Sequence, residues 1–212
     1  MSKRTIFETL FTTYPALVGC KESISAAYDL LKGAADKNAL IMVCGNGGSA
    51  ADCEHITGEL MKGFNLRRPL SDDEKAKFDG IDGGAEIASK LQGAIKTVSL
   101  ASQVGVISAF ANDVDASLVF AQQVWGYASS PCDVLIALST SGNSLNVVNA
   151  VKTAKAAGIK SLAITGGKDS RLSELCDVTV KLPAFTPFEV QELTLPLYHA
   201  LCAALEADLF PA

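Results

Sequence analysis

The sequence predicts an α/β protein, a doubly wound, five-stranded parallel sheet flanked by helices. Three observations predict it. Five short apolar runs recur along the chain, most of them ending at glycine or hydroxyl-bearing residues. The runs lack the apolar–polar alternation of a half-exposed sheet, as strands covered on both faces do. Stretches with helical spacing separate them, which are the crossovers that parallel pairing requires.

Residues 1–37 read as an N-terminal helical arm. Ile6, Leu10, Leu17, Ile24, Ala27, Leu30 and Leu31 recur at helical spacing, and Pro15 divides them into a short helix and a longer one. Leu40–Cys44 is the first strand, and residues 49–62 follow as a helix with Ser49 as its cap. Residues 63–95 are rich in glycine and charge and read as a surface excursion with one short helix near Asp72–Phe78. The alternation then resumes. Strands are expected at Thr97–Leu100, Val134–Leu138, Lys160–Thr165 and Val178–Leu182. Helices are expected at 102–110, 116–128, 144–157, 170–175 and 188–208. Residues 1–212 read as a single domain.

A chain of 212 residues buries roughly 70% of its unfolded surface and needs no disulfide or metal to hold a core. Hydrophobic residues make up 49% and charged residues 19%, which excludes a disordered chain. The net charge of −5 argues against nucleic acid or an anionic membrane as partner. It leaves room for a small phosphorylated ligand held by backbone amides. No run of 18 uncharged apolar residues occurs, so no membrane span is expected. The six cysteines are widely spaced with no CxxC pair, and no export signal is visible, so reduced thiols and a cytoplasmic setting are expected.

Ligands of open parallel sheets bind beyond the carboxyl ends of the strands. Three clusters sit there or just after. Cys44-Gly45-Asn46-Gly47-Gly48-Ser49 leads from a strand into a helix, where it reads either as a tight turn or as a close approach to a ligand. Ser139-Thr140-Ser141-Gly142-Asn143-Ser144 crowds four hydroxyls around a glycine at a helix start. A cap needs one hydroxyl, so four read as a cradle for phosphate or another anion rather than as a plain cap, the other reading. His55 and Glu59 stand at i, i+4 on one helix face, where they can share a divalent metal or simply a hydrogen bond. The other histidine, His199, lies on the last helix after Gln191-Glu192. Pro196 between them is expected to bend that helix.

Taken together and in this order, these clusters resemble the bacterial phosphoheptose isomerases of the sugar isomerase (SIS) superfamily. The resemblance rests on Cys44–Ser49 with His55 and Glu59, on Asn112-Asp113, on Ser139–Ser144, and on Gln191-Glu192 with His199. It runs from about residue 17 onward. It implies a five-stranded parallel SIS fold, a homotetramer with sites between subunits, and interconversion of sedoheptulose 7-phosphate and D-glycero-D-manno-heptose 7-phosphate, on the route to lipopolysaccharide or other surface heptose. It further implies Zn2+ held by His55, Glu59, Gln191 and His199. Ser139, Thr140, Ser141 and Ser144 would hold the phosphate, and Asn46, Gly47, Gly48, Ser49, Asn112, Asp113 and Gln191 would line the sugar.

Enediol isomerisation needs a base, an acid and a group that stabilises the enediolate. Glu59 is the expected base and His199 the expected acid. The chain departs from the family pattern at Thr194, where a second histidine is common, at Thr186–Glu189, at Gly63 and in the long excursion. All four departures bear on the sugar. An isomerase of another phosphosugar, or a non-catalytic phosphosugar-binding protein, would share the cradle. Only an enzyme needs the acid–base set.

Overall fold

The computed structural model describes residues 2–210. The arm is α1 (Lys3–Thr13), a 3-10 turn at Pro15–Cys20 and α2 (Lys21–Ala35), with the break at Pro15. Ser2 caps α1 by accepting from the Thr5 N–H. The strands are β1 (Ile41–Cys44), β2 (Thr97–Ser99), β3 (Val134–Leu138), β4 (Lys160–Thr165) and β5 (Val178–Lys181). All pair in parallel in the order β2-β1-β3-β4-β5. From β1 the chain winds outward to β2 on one side, then returns past β1 to build β3, β4 and β5 on the other. The carboxyl ends of β1 and β3 therefore flank the topological switch point.

Both faces of the sheet are covered, which is why the strands do not alternate. On one face Ile41, Val43, Ile136, Leu138, Leu162 and Ile164 pack with residues of α2, α3 (Gly48–Met61) and α10 (Pro187–Leu209). On the other, Met42, Cys44, Leu135 and Ala137 meet Phe120 and Val124 of α7 (Val119–Tyr127) and Val147 and Val151 of α8 (Leu145–Ala156). Full burial of each large aliphatic side chain contributes about 1.5–3 kcal/mol. The six cysteines are unpaired.

The excursion carries two short helices rather than one, α4 (Asp72–Ala76) and α5 (Gly84–Lys90). Its neck is tied. The Gly63 N–H donates to Gln92 Oε1 (2.7 Å) and the Gly93 N–H to the Arg68 carbonyl (2.7 Å). The segment Val104–Tyr127 is helical almost throughout: α6 (Val104–Phe110), a π turn at Ala111–Asp115, a 3-10 turn at Ala116–Leu118, then α7. By length and composition it could cross a membrane, and its most apolar 18-residue window is 17% buried. Asp113 and Asp115 lie midway, however, and at a bilayer centre each would cost roughly 2.5–3.5 kcal/mol. The short helix α9 (Arg171–Leu175) follows β4. Pro196 sits inside α10, which continues through it to Leu209.

One buried ion pair fixes α10 against the end of α3. Glu206, 1% exposed, accepts from the N–H groups of Phe64 (2.7 Å), Asn65 (2.7 Å) and Leu66 (3.0 Å) and from Arg68 Nε (2.8 Å). The Arg68 side chain is fully buried. It also donates to the carbonyls of Leu60 (2.8 Å) and Glu59 (3.1 Å). Burial pushes the Glu206 carboxyl up, but the Phe64 and Asn65 N–H groups and the Arg68 guanidinium outweigh it and hold the pKa below the ordinary range.

Replacing Arg68 by Leu leaves Glu206 buried without its cation and should cost about 3–5 kcal/mol in urea unfolding at pH 7. Because the folded pKa of Glu206 is lowered, its stabilisation is full above the unfolded value of about 4.3 and is lost as the pH falls through the lower folded value. Glu206→Gln should therefore flatten the acid limb of the stability-against-pH curve below about pH 4.3. Parallel acid limbs in wild type and variant would contradict the assignment.

Candidate active site

Three strand-end loops meet at the switch point. After β1, Gly47 takes φ 57°, a conformation that glycine adopts readily, and this sets the start of α3. The cap residue is thus Gly47, and Ser49 falls inside the first turn, buried, its N–H bonded to the Asn46 carbonyl (3.0 Å). The expected serine cap is displaced because the glycine turns the chain sooner. After β3, Ser139 Oγ and Ser144 Oγ stand 3.1 Å apart, and Ser141 Oγ accepts from the Asn143 N–H (3.2 Å). Ser144 is the cap residue of α8 but gives no cap bond, since its hydroxyl turns to Ser139. After β4, the Gly166 N–H donates to the Thr140 carbonyl (3.1 Å). Thr140, Ser141, Asn143, Gly166, Gly167 and Lys168 line a cavity of about 210 Å3.

The β1 and β3 loops are joined by a reciprocal amide pair. Asn46 Nδ2 donates to Asn146 Oδ1 and Asn146 Nδ2 to Asn46 Oδ1, each at 2.9 Å. Asn146 escapes sequence reading because the residue lies past the hydroxyl cluster, inside α8. Asn112 and Asp113 lie on the π turn, exposed and bonded to each other (2.8 Å). Around them the helical stretch exposes Val104, Val106, Val114 and Trp125.

Helices α3 and α10 pack side by side and run the same way. Gly48 faces Gln191: a Cβ at residue 48 would lie 2.4 Å from Gln191 Nε2, so a side chain there would push this amide aside. Further along, the two histidines of the chain meet. His55 Nε2 lies 3.4 Å from His199 Nε2 and 3.3 Å from Glu59 Oε1. Glu59 Oε2 points the other way, 3.5 Å from Lys62 Nζ. The Phe64 ring packs against His199, with centroids 5.5 Å apart. His199 also borders a groove of about 500 Å3 between α1 and α10. Gln191 is eight residues from His199, about 12 Å of helix, and its amide lies against Gly48.

Behind His55 stands a pair that sequence spacing does not announce. The Tyr198 hydroxyl is 2.9 Å from His55 Nδ1 and 3.3 Å from Asp52 Oδ1. Asp52 precedes His55 by three residues and shares its helix face, a signal available in the sequence. Tyr198 merely neighbours His199 and carries no such signal.

Among the described residues, no group of three or more His, Cys, Asp and Glu side chains is placed so that it could hold a metal ion. The donor chemistry nonetheless suits zinc. Zn–N and Zn–O bonds of about 2.0–2.1 Å in a tetrahedron put neighbouring ligand atoms roughly 3.3–3.4 Å apart, which matches the His55–Glu59 and His55–His199 separations.

Burial lowers the His199 pKa below the ordinary histidine value, His55 lowers it further, and Glu59 pulls the other way.

Family models of the SIS domain match residues 17–97 and 98–204. The chain belongs to the SIS domain family. Both matches fall on one sheet, since β1 of the first pairs with β2 and β3 of the second. Among curated SIS relatives, the phosphoheptose isomerase of Maridesulfovibrio salexigens is 31% identical over 97% of this chain and 85% of its own length. That of Rhodospirillum rubrum is 29% identical over 97% and 96%. The solved phosphoheptose isomerase of Neisseria gonorrhoeae superposes with TM-score 0.72 at 25% identity, covering 97% of this chain and 93% of its own. That of Francisella tularensis shares the fold, with TM-score 0.74 at 23% identity over 95% of each chain. This SIS domain therefore stands within the phosphoheptose isomerases and is a sugar-phosphate isomerase by type.

In metal-stripped protein, NMR titration should show His199 protonating below the ordinary histidine value of about 6.5. His55→Gln should move that midpoint back up, because the His55 ring contributes to the lowering. An unchanged midpoint would mean that the two rings do not interact in solution.

Proposed function

We propose that the chain interconverts sedoheptulose 7-phosphate and D-glycero-D-manno-heptose 7-phosphate through an enediol. The observation that carries this reading is the meeting of His55, Glu59 and His199 within 3.4 Å contacts at the α3–α10 seam, in a chain whose relatives are named phosphoheptose isomerases. The phosphate would sit in the Ser139–Ser144 cradle, where the hydroxyls of Thr140 and Ser141 and the start of α8 supply donors. Asn46, Gly47, Gly48 and Gln191 would face the sugar hydroxyls.

His55, Glu59 and His199 would hold a zinc ion, which when bound polarises the sugar carbonyl. Glu59 divides its work between two oxygens. Oε1 faces the histidines, and Oε2, turned away, takes the proton from C1 of the ketose and returns it to C2. His199 would give its one N–H proton to O2 and regain a proton from O1 on the same nitrogen, its other nitrogen being the zinc ligand, so that ketose becomes aldose with nothing gained or lost.

The sugar itself is the finer question. Thr194, where family members commonly carry histidine, is buried and returns its hydroxyl to the Val190 carbonyl (2.8 Å), out of the site. Phe185 and Phe188 are exposed. These features favour testing neighbouring phosphosugars beside the heptose. The exposed apolar face around Asn112–Asp113 supports a homotetramer in which that pair is covered. The unpaired cysteines support a cytoplasmic setting.

Purified protein given sedoheptulose 7-phosphate should form the aldose, faster with zinc than with chelator. Glu59→Gln and His199→Ala should each lower turnover by roughly 100-fold or more, with phosphate affinity retained. Ser141→Ala should instead weaken binding of inorganic phosphate by roughly 10-fold, as loss of a hydrogen bond to a charged ligand does, read by thermal shift. Turnover equal in wild type and both site variants would remove the proposed mechanism.

A further inference from the structure

The hydroxyl of Tyr198 touches two groups at once, Asp52 Oδ1 and His55 Nδ1. One hydroxyl has one proton. An ionised carboxylate only accepts, so if both contacts are hydrogen bonds, the tyrosine proton goes to Asp52. The oxygen of Tyr198 must then accept, and the only donor that His55 can offer it is Nδ1–H. That leaves His55 Nε2 without a proton, on the side that faces Glu59 Oε1 and His199 Nε2. The Tyr198–His55 contact is 2.9 Å, and the Tyr198–Asp52 contact, at 3.3 Å, is as long as those of Nε2 at 3.3 and 3.4 Å, so the direction rests on the carboxylate being an acceptor only. Tyr198 is well placed to impose an orientation. It is 2% exposed, and its ring stands edge-on to both imidazoles, at 75° to His55 and 83° to His199.

We propose that Tyr198, anchored by Asp52, is a positioning residue that locks His55 in the Nδ1–H tautomer and presents Nε2 as a bare acceptor to the α3–α10 seam. A hydrogen bond on one ring nitrogen sets the state of the other. The seam then holds an unprotonated nitrogen against a carboxylate oxygen, an arrangement that a cation between them relieves. This deepens the reading of the site as a zinc-assisted isomerase, and rests on that reading only where the metal is concerned.

The test exploits the fact that the chain has two histidines. Long-range 1H–15N spectra of metal-stripped protein at pH 8.5 report the tautomer of each ring, and His199→Gln assigns the remaining signals to His55. Wild type should show His55 as Nδ1–H. Tyr198→Phe should shift it toward the Nε2–H form and weaken zinc binding by roughly 10-fold or more against a chromophoric chelator. His55 found as Nε2–H in wild type, or a tautomer unmoved in a folded Tyr198→Phe, would overturn the inference. Should Tyr198→Phe not fold, the wild-type spectrum alone decides. A wild type that shows Nδ1–H but binds no zinc upholds the role of Tyr198 and removes the metal from the proposed function.

Discussion

The structure depends on a carboxylate with no water to help it. Glu206 lies inside the protein and is tolerable there only because three consecutive backbone N–H groups and Arg68 converge on it. Those partners all belong to the segment that leaves α3, so the requirement of one buried charge becomes a positional constraint between α3 and α10. Arg68 extends it by holding the carbonyls of Glu59 and Leu60. Glu59 is thus gripped by its backbone while its side chain stays free to face His55. The clamp and the histidine pair lie two turns apart on α10, and the same helix packing serves both.

A second constraint acts at the other end of that seam. The Asn46–Asn146 pair ties the β1 loop to α8, across the switch point, and Gln191 presses on Gly48. The site is therefore framed on a sheet whose two faces are independently packed. It uses a helix from each of the two strand-end loops and the last helix of the chain. The neck of the excursion closes the frame, because Gly93 bonds to the carbonyl of Arg68 itself.

The sheet was legible because doubly covered strands must be apolar throughout, and Leu135 and Ile136 serve opposite faces equally well. The approximate positions of the helices followed from spacing. Details that depend on three-dimensional partners were not legible. Whether Ser49 or Gly47 caps α3 turns on a positive φ. The second helix of the excursion has no apolar stripe long enough to read. Pro196 signals a bend, and the helix runs on through it to Leu209. Of the site, the residue types were visible, as both histidines fall in motif positions. Asn146, Asp52 and Tyr198 were not singled out, and Tyr198 could not be, because a contact across 143 residues leaves no local pattern.

The pairing of α3 with α10 joins Gly48–Met61 to Pro187–Leu209. On a ribosome, β1 and α3 emerge while His199 and Glu206 are still unmade or inside the exit tunnel. Until they arrive, Arg68 has no counter-charge and the histidine at residue 55 no companion. The seam between α3 and α10 is therefore completed only after translation has passed Glu206, long after its first half was made.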